Sequence, residues 1–463
     1  MTKKNDVRVI VIASLTGFGL AERFLAQHKD KIFYVADLKL WLYWNGKQFI
    51  LAGVIVEDSA KQTILDLRKE LIPPNLSRKN VDKFGNTIDN DDILEFQGWY
   101  SNFAGINSTL LNARSIPEIV AYDAEFDNHP NLLNVQNGTL NLETLELYDH
   151  DPKFMMRKIA RAKFVRGAKS EKRDKFLNDI TDNDPELQEY LQRIMGYALT
   201  GSTKEQVFFI FVGNGSNGKS TFLNVFLNVL GDYSKATPTQ TLMAKGYQGI
   251  NTDEARLNGA RFVVASEANK KQKLDEAKIK KMTGGDTITA RFMRKDFVEF
   301  QAEFKIFMAV NNLPEVSADD AIFRRIRVVP FNARFEADKL NKDLQDELLK
   351  EREAFLDWAA EGAAKWYKEG FPDCQKVEDA TKIYKKTADI LQRFLKQTVS
   401  LDPAYKISIG LLYESYKSWA AENSEIDLTK RDFGDLMRIK NFVQSKSGST
   451  RYWKGLDLKT RVK

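Results

Sequence analysis

Eight consecutive residues, Gly213-Asn214-Gly215-Ser216-Asn217-Gly218-Lys219-Ser220, have the types and spacing that chemistry on a phosphate requires. Glycines let the backbone fold back so that several N–H groups point into one concavity, and a helix starting at its rim adds the partial positive charge of its N-terminus. Lys219 is placed to reach the β- and γ-phosphates of a nucleoside triphosphate and Ser220 to sit on Mg2+, with Thr221 completing the nucleotide-binding run. The flanks agree. Val207 to Val212 is an apolar run that suits a strand buried on both faces, and Phe222, Leu223, Phe226, Leu227 and Leu230 recur at helical spacing. ATP and Mg2+ are therefore the expected ligands.

Such a loop needs a second strand that ends in a carboxylate. In "ARFVVASEAN", Phe262 to Ala265 reads as that strand, and Glu267 is the only carboxylate at its tip, placed to act as base and to help hold Mg2+. "FKIFMAVNNLPEV" reads as a third strand, ending at Asn311-Asn312, where an amide can hydrogen-bond the γ-phosphate or the attacking water. In "DDAIFRRIRVVPF", Arg324 and Arg325 stand just before another strand, far enough from the loop in sequence to serve a neighbouring subunit's nucleotide. Between the second and third strands, "TITARFMRKDFVEFQ" alternates like two strands around a tip at Arg294-Lys295-Asp296.

Those pieces must be positioned by a chain of 463 residues, long enough for two to four domains. A single cysteine, Cys374, excludes a disulfide framework and a cysteine-based zinc site, and three histidines offer no histidine-rich metal cluster. No apolar run is long enough to span a membrane, and the start at Met1 shows no signal-peptide pattern, so a soluble cytoplasmic protein with no membrane partner is expected. The net charge of +6 is unevenly spread: Leu428 to Lys463 carries ten basic against three acidic residues, and Met156 to Lys175 nine against two. Either cluster suits nucleic acid, although a solvated basic face is the commoner cause. "YDAEFDNH", with Asp123, Asp127 and His129, reads as a solvated turn rather than a metal site.

Pattern changes suggest four parts. Residues 1–175 mix short strands and helices, with turns at Asn45-Gly46 and Asn137-Gly138. Residues 176–335 form an α/β nucleotide-binding core that opens with one amphipathic helix over 176–202. Residues 336–387 are a helical segment packing on it. Residues 388–463 carry two helices, at "IGLLYESYKSWAAEN" and "TKRDFGDLMRIK", and then a strand pair broken at Ser447-Gly448, which together suggest a winged helix.

In order, "YLQRIMGYALTG", "FVGNGSNGKST", "RLNGARFVVASE", "AKIKKMTGGDTITAR", "FKIFMAVNNLPEV" and "FRRIRVVPF" resemble the superfamily 3 helicases of phages, plasmids and large DNA viruses. The likeness is strongest to the helicase half of phage and plasmid primase-helicases related to the poxvirus primase-helicase. It implies an AAA+-like core, a hexameric ATP-driven ring and translocation on single-stranded DNA in replication, in the cytoplasm of a bacterial host. It also implies forked DNA and a separate primase or polymerase as partners. Under it Lys219 and Ser220 serve phosphate and Mg2+, Glu267 is the acidic Walker B residue and Asn311 the sensor. Arg325, with Arg324 as the alternative, is the finger. The hairpin would grip DNA through Arg291, Arg294 and Lys295. Two features depart from the family. A Ser266-Glu267 pair replaces two acids, and the chain is too short for the polymerising primase that members often carry upstream. An origin-binding initiator or loader without processive unwinding is the alternative reading.

Overall fold

The computed structural model describes residues 8–244, 252–266, 273–291, 297–316, 319–335, 341–423, 425, 427–439, 442–448 and 450–461. The chain divides into two compact units, one built mainly from residues up to His129 and from Tyr148–Ile159, the other mainly from Ala160 onward.

The first unit is α+β. Its main sheet runs in the order Phe49–Leu51, Leu40–Trp44, Ile32–Val35, Val120–Ala121, and helices Gly17–His28, Val54–Leu65 and Phe103–Ala113 supply Phe24, Val56 and Leu110 to a core with Ile32 and Trp41. The Asn45-Gly46 turn joins two of those strands: Gly46 has φ +95°, which favours glycine, and the Asn45 side chain accepts from the backbone N–H groups of Lys47 and Gln48 at 2.9 Å each. Asp123 and Asp127 serve structure here. Asp123 pairs with Arg157, and Asp127 takes Lys158 Nζ at 2.8 Å and the Arg157 backbone N–H at 2.9 Å. No group of three or more His, Cys, Asp or Glu residues able to hold a metal ion occurs among the described residues.

The second unit takes in Pro130–Gln136 and Leu140–Leu147, and its first helices are α1 (Glu171–Thr181) and α2 (Pro185–Leu199). One continuous helix was expected there. The chain breaks instead at Asp182 and Asn183, both at φ +56°, because Asp184 caps α2 through its side chain and Pro185 occupies the first helical position, where its missing N–H costs nothing. The remaining elements are β1 (Phe208–Val212), α3 (Lys219–Leu230), β2 (Ser234–Pro238), β3 (Phe262–Ser266), α4 (Glu276–Gly284) and the antiparallel pair β4 (Thr287–Arg291) and β5 (Phe297–Gln301). After these come β6 (Lys305–Val310), the short α5 (Asp320–Phe323), β7 (Ile326–Pro330), α6 (Arg352–Glu369) and α7 (Gln375–Thr398).

Five of these strands make one parallel sheet in the order β2-β3-β6-β1-β7. β1 and β6 are buried along almost their whole length, as continuous apolar strands in a parallel sheet must be, with α3, α2 and α6 covering one face. α2 and α6 approach closely at Gly196 and Gly362: a Cβ on Gly196 would stand 2.1 Å from the Ala363 nitrogen. The other face packs α4, the β4–β5 pair and the first half of α7. A C-terminal module then runs β8 (Val399–Ser408), α8 (Ile409–Glu422), α9 (Lys430–Ile439), β9 (Gln444–Ser447) and β10 (Thr450–Leu458), its sheet ordered β8-β10-β9 around Phe394, Tyr416, Phe433 and Trp453. Both expected helices and the expected hairpin are present. No described helix is long and apolar enough to cross a membrane.

Candidate active site

Register sets the site. β1 and β6 pair as Val212 with Val310, β3 and β6 as Ser266 with Ala309, and β1 and β7 as Val212 with Pro330, so four strands end level at one edge of the sheet. That edge, at the carboxyl ends of parallel strands where the strand order turns back on itself, is where α/β sheets hold ligands. The Gly213–Gly218 loop leaves β1 at this edge and delivers the chain into α3.

The loop is built for close approach. Gly215 and Gly218 have φ of +87° and +81°, and Ser216 lies at +46°. A Cβ on Gly218 would stand 2.3 Å from Ile180 of α1, and one on Gly213 would meet the Asn217 side chain at 2.2 Å and the Phe331 carbonyl at 2.3 Å. Any side chain at either position would push the loop off its supports. Phe331 and Phe335 fasten the segment after β7 to the loop, donating to Val212 and Ser216 carbonyls at 2.8 and 2.9 Å. Together the two segments line a cleft of about 920 Å3, with Asn214 and Ser216 exposed to it. Arg334, which nothing in the sequence pattern singled out, lines the same cleft and adds a second cation.

Lys219 begins α3 and is only 4% exposed. Its ammonium donates to the Gly213 carbonyl at 2.8 Å and to Asn217 Oδ1 at 2.9 Å, and Asn311 Oδ1, at the end of β6, is 3.5 Å away. Asn217 is therefore a clamp as well as a loop residue: its oxygen holds the lysine while its Nδ2 donates to the Phe331 carbonyl at 3.1 Å. Burial lowers the Lys219 ammonium from its ordinary value of 10.5 to about 8. A cation desolvated this way gains most from an incoming anion, which restores the neutralisation that water gives. Ser220 is exposed beside it and Thr221 half-buried.

Glu267 lies outside the described residues, but the strand that leads to it is firmly set: Thr239 donates to the Ser266 carbonyl at 2.8 Å. Asn311 and Lys219 are brought together at the ends of the adjacent strands β6 and β1. The two arginines differ. Arg325 is 8% exposed and donates to the Ala321 carbonyl of its own chain at 2.8 Å, whereas Arg324 is exposed and lines a wide cleft with Arg327, Asp319 and Asp320. The β4–β5 pair forms as antiparallel strands, Arg291 opposite Phe297, with Ile288, Ala290 and Phe300 turned into the core. Its tip, with Arg294 and Lys295, lies outside the described residues, and Arg291 stands at the last described position of β4.

Several cations of the Met156–Lys175 cluster are already paired: Lys172 with Glu347 at 3.0 Å, Arg173 with Asp174 at 2.6 Å and Lys175 with Asp179 at 2.8 Å, besides Arg157 and Lys158.

With this geometry in hand, the matches to known proteins take on meaning. Residues 21–195 match the family described as D5 N terminal like, and residues 211–325, which hold the loop, Asn311 and both arginines, match a family of unknown function. Relatives found among known proteins are viral proteins named as helicases or as a primase. "Putative helicase L207/L206" of Acanthamoeba polyphaga mimivirus is 27% identical over 333 residues, 66% of this chain and 35% of that protein. "Putative helicase 121R" of Invertebrate iridescent virus 3 is 25% identical over 395 residues, 73% of this chain and 40% of the relative. A protein of African swine fever virus named "Putative primase" is 25% identical over 366 residues, 71% and 38%. The chain thus spans no more than 40% of the length of these relatives. The apo structure of the NrS-1 C terminal region superposes over 95% of this chain and 99% of its own, at 12% identity and a TM-score of 0.46, too loosely to argue from.

Proposed function

We propose that this chain is the ATP-hydrolysing motor of a replication helicase, a ring that moves on single-stranded DNA of a virus, phage or plasmid. The observation that carries it is the meeting of Lys219 and Asn311: a cation buried at the end of β1 and an amide at the end of the adjacent β6, over a glycine loop that leaves room for a phosphate chain. Lys219 leaves the Gly213 carbonyl for the β- and γ-phosphates of ATP, and the N–H groups of residues 214–221 enclose them. Ser220, whose hydroxyl is exposed, and Glu267 would hold Mg2+, which would supply charge neutralisation at the phosphates. Glu267 takes a proton from the water that Asn311 orients. Arg324, exposed on the opposite flank from its own loop in sequence, serves the next subunit's nucleotide.

The names and the matched regions of the viral relatives support a replicative role, and the element order of the C-terminal module supports a winged helix. Helix α7 is followed by a strand, two helices and a hairpin, and α9 offers Lys430 and Arg431, exposed, to DNA. The same module would serve an origin-binding loader. Hydrolysis measured with and without single-stranded DNA, beside displacement of a strand from a forked duplex, separates the two. Stimulated hydrolysis with displacement is the expected result. Hydrolysis with no displacement would favour the loader, and no hydrolysis would sink both.

The lowered Lys219 value gives a second test. Phosphates beside the ammonium favour its charged form, so the value rises on binding. Nucleotide affinity then falls as pH rises through about 8 and beyond, by up to about tenfold per pH unit, and binding in that range takes up protons. Calorimetry in buffers of different ionisation enthalpy reads that uptake directly. Affinity and proton count that stay flat from pH 7 to 9.5 would place Lys219 away from the phosphates.

A further inference from the structure

One helix belongs to both cores of the second unit. The first half of α7 puts Tyr384, with Ala380 and Ala388, into the core under the parallel sheet, and its second half puts Ile390, Leu391 and Phe394 into the core of the C-terminal module. With no proline or glycine between the halves, a displacement of one end is carried to the other.

Thr381, Tyr384 and Lys385 share one face of that first half, at helical spacing. Each holds a different part of the site. Thr381 Oγ1 accepts from the Val328 N–H of β7 at 3.0 Å. The Tyr384 hydroxyl donates to the carbonyl of Pro314, three residues past Asn311, and its ring stands edge-on to Phe323 with centroids 5.4 Å apart. Phe323 is the residue before Arg324. Lys385 pairs with Asp320 at the start of α5, but that pair is exposed and screened by solvent. The buried tyrosine therefore carries the link. Burial raises its phenol well above the ordinary value of 10, so the group stays a hydrogen-bond donor. The loop it holds reaches a second nucleic-acid candidate as well: Leu274, just before α4 and the β4–β5 pair, donates to the Glu315 carbonyl at 2.9 Å.

We infer that Tyr384 is a positioning residue that ties the Asn311 loop and the Arg324 helix to the C-terminal module, so that the nucleotide held at the loop and the DNA held by the module change each other's affinity. This rests on the ATP-driven reading above, and the coupling must be reciprocal.

The test uses the full chain and a fluorescent single-stranded oligonucleotide, titrated with Mg2+ and either ADP or a non-hydrolysable ATP analogue. Parental protein is expected to show DNA affinities that differ about tenfold between the two nucleotides, within the usual range of coupled sites. Tyr384→Phe keeps the ring against Phe323 and removes only the hydroxyl; the Pro314 carbonyl loses its donor, so the melting temperature should fall modestly while the two affinities converge to within about twofold. A purely structural tyrosine would shift the melt and leave the ratio alone. If Tyr384→Phe fails to fold, Thr381→Val, which removes the neighbouring acceptor at constant shape, should also shrink the ratio. A variant that keeps the parental ratio overturns the inference, and so does parental protein that binds DNA equally with either nucleotide. Failure of the parental chain to bind the nucleotides at all, read by direct titration, overturns the ATP-driven reading itself.

Discussion

Lys219→Ala is expected to lose ATP hydrolysis by about 10³-fold or more while the chain stays folded, because it removes the one ammonium aimed at the charge that develops between the transferring phosphoryl groups. That loss corresponds to about 4 kcal/mol of transition-state stabilisation. The fold is not at risk for a specific reason. Asn217 is fastened to the Phe331 carbonyl through its nitrogen, independently of the lysine, and α3 is held by Phe222, Leu223 and Phe226 in the core. What the substitution frees is the Gly213 carbonyl, beside a cleft that water can enter, and the buried Asn217 Oδ1. The melting temperature should therefore fall only modestly. Steady-state hydrolysis and a thermal melt on the same preparation check both halves, and hydrolysis at the parental rate would remove Lys219 from the mechanism.

This site was legible in the sequence because its parts are local. A strand, a glycine turn and a helix are contiguous, and three apolar strands with polar tips announce a parallel sheet even before their order is known. What stayed hidden depends on tertiary placement. β2 escaped because Ser234–Pro238 is an edge strand with Lys235 and Thr237 in it and a proline at its end, so it lacks the apolar run that marked its neighbours. β8 escaped for the same reason, since most of Val399–Ser408 is exposed and only Val399 and Ile407 are buried. The break between α1 and α2 could have been read from Asn183-Asp184-Pro185, a cap followed by proline, but the apolar stripe on either side outweighed it. Asn217 looked like one more loop residue, and Tyr384 fell in a segment read only as helical. Neither role has a sequence signal, because each is defined by a partner 114 or 70 residues away.

Exposure bears on the arginine as well, and on that ground we propose Arg324 as the finger. Arg325 stands first under the family resemblance, yet its guanidinium is buried against its own chain and donates to the Ala321 carbonyl, so it braces α5. Arg324 is exposed at the end of that helix, the arrangement an arginine needs to reach across a subunit boundary. Arg324→Ala is accordingly expected to cost about 10³-fold or more in hydrolysis, the range seen when an arginine finger is supplied or removed, without lowering the melting temperature. Arg325→Ala should instead melt earlier, since it empties a buried site and leaves a carbonyl without its donor. Mixing distinguishes action between subunits from action within one. In rings assembled from equal amounts of Arg324→Ala and Lys219→Ala chains, about one interface in four pairs an intact lysine with an intact arginine, so about a quarter of the parental rate should return if sites in a head-to-tail ring act independently. Mass measurement of differently tagged chains establishes that the rings are mixed. Mixed rings that stay as inactive as their parents would mean that Arg324 acts on its own subunit or not at all.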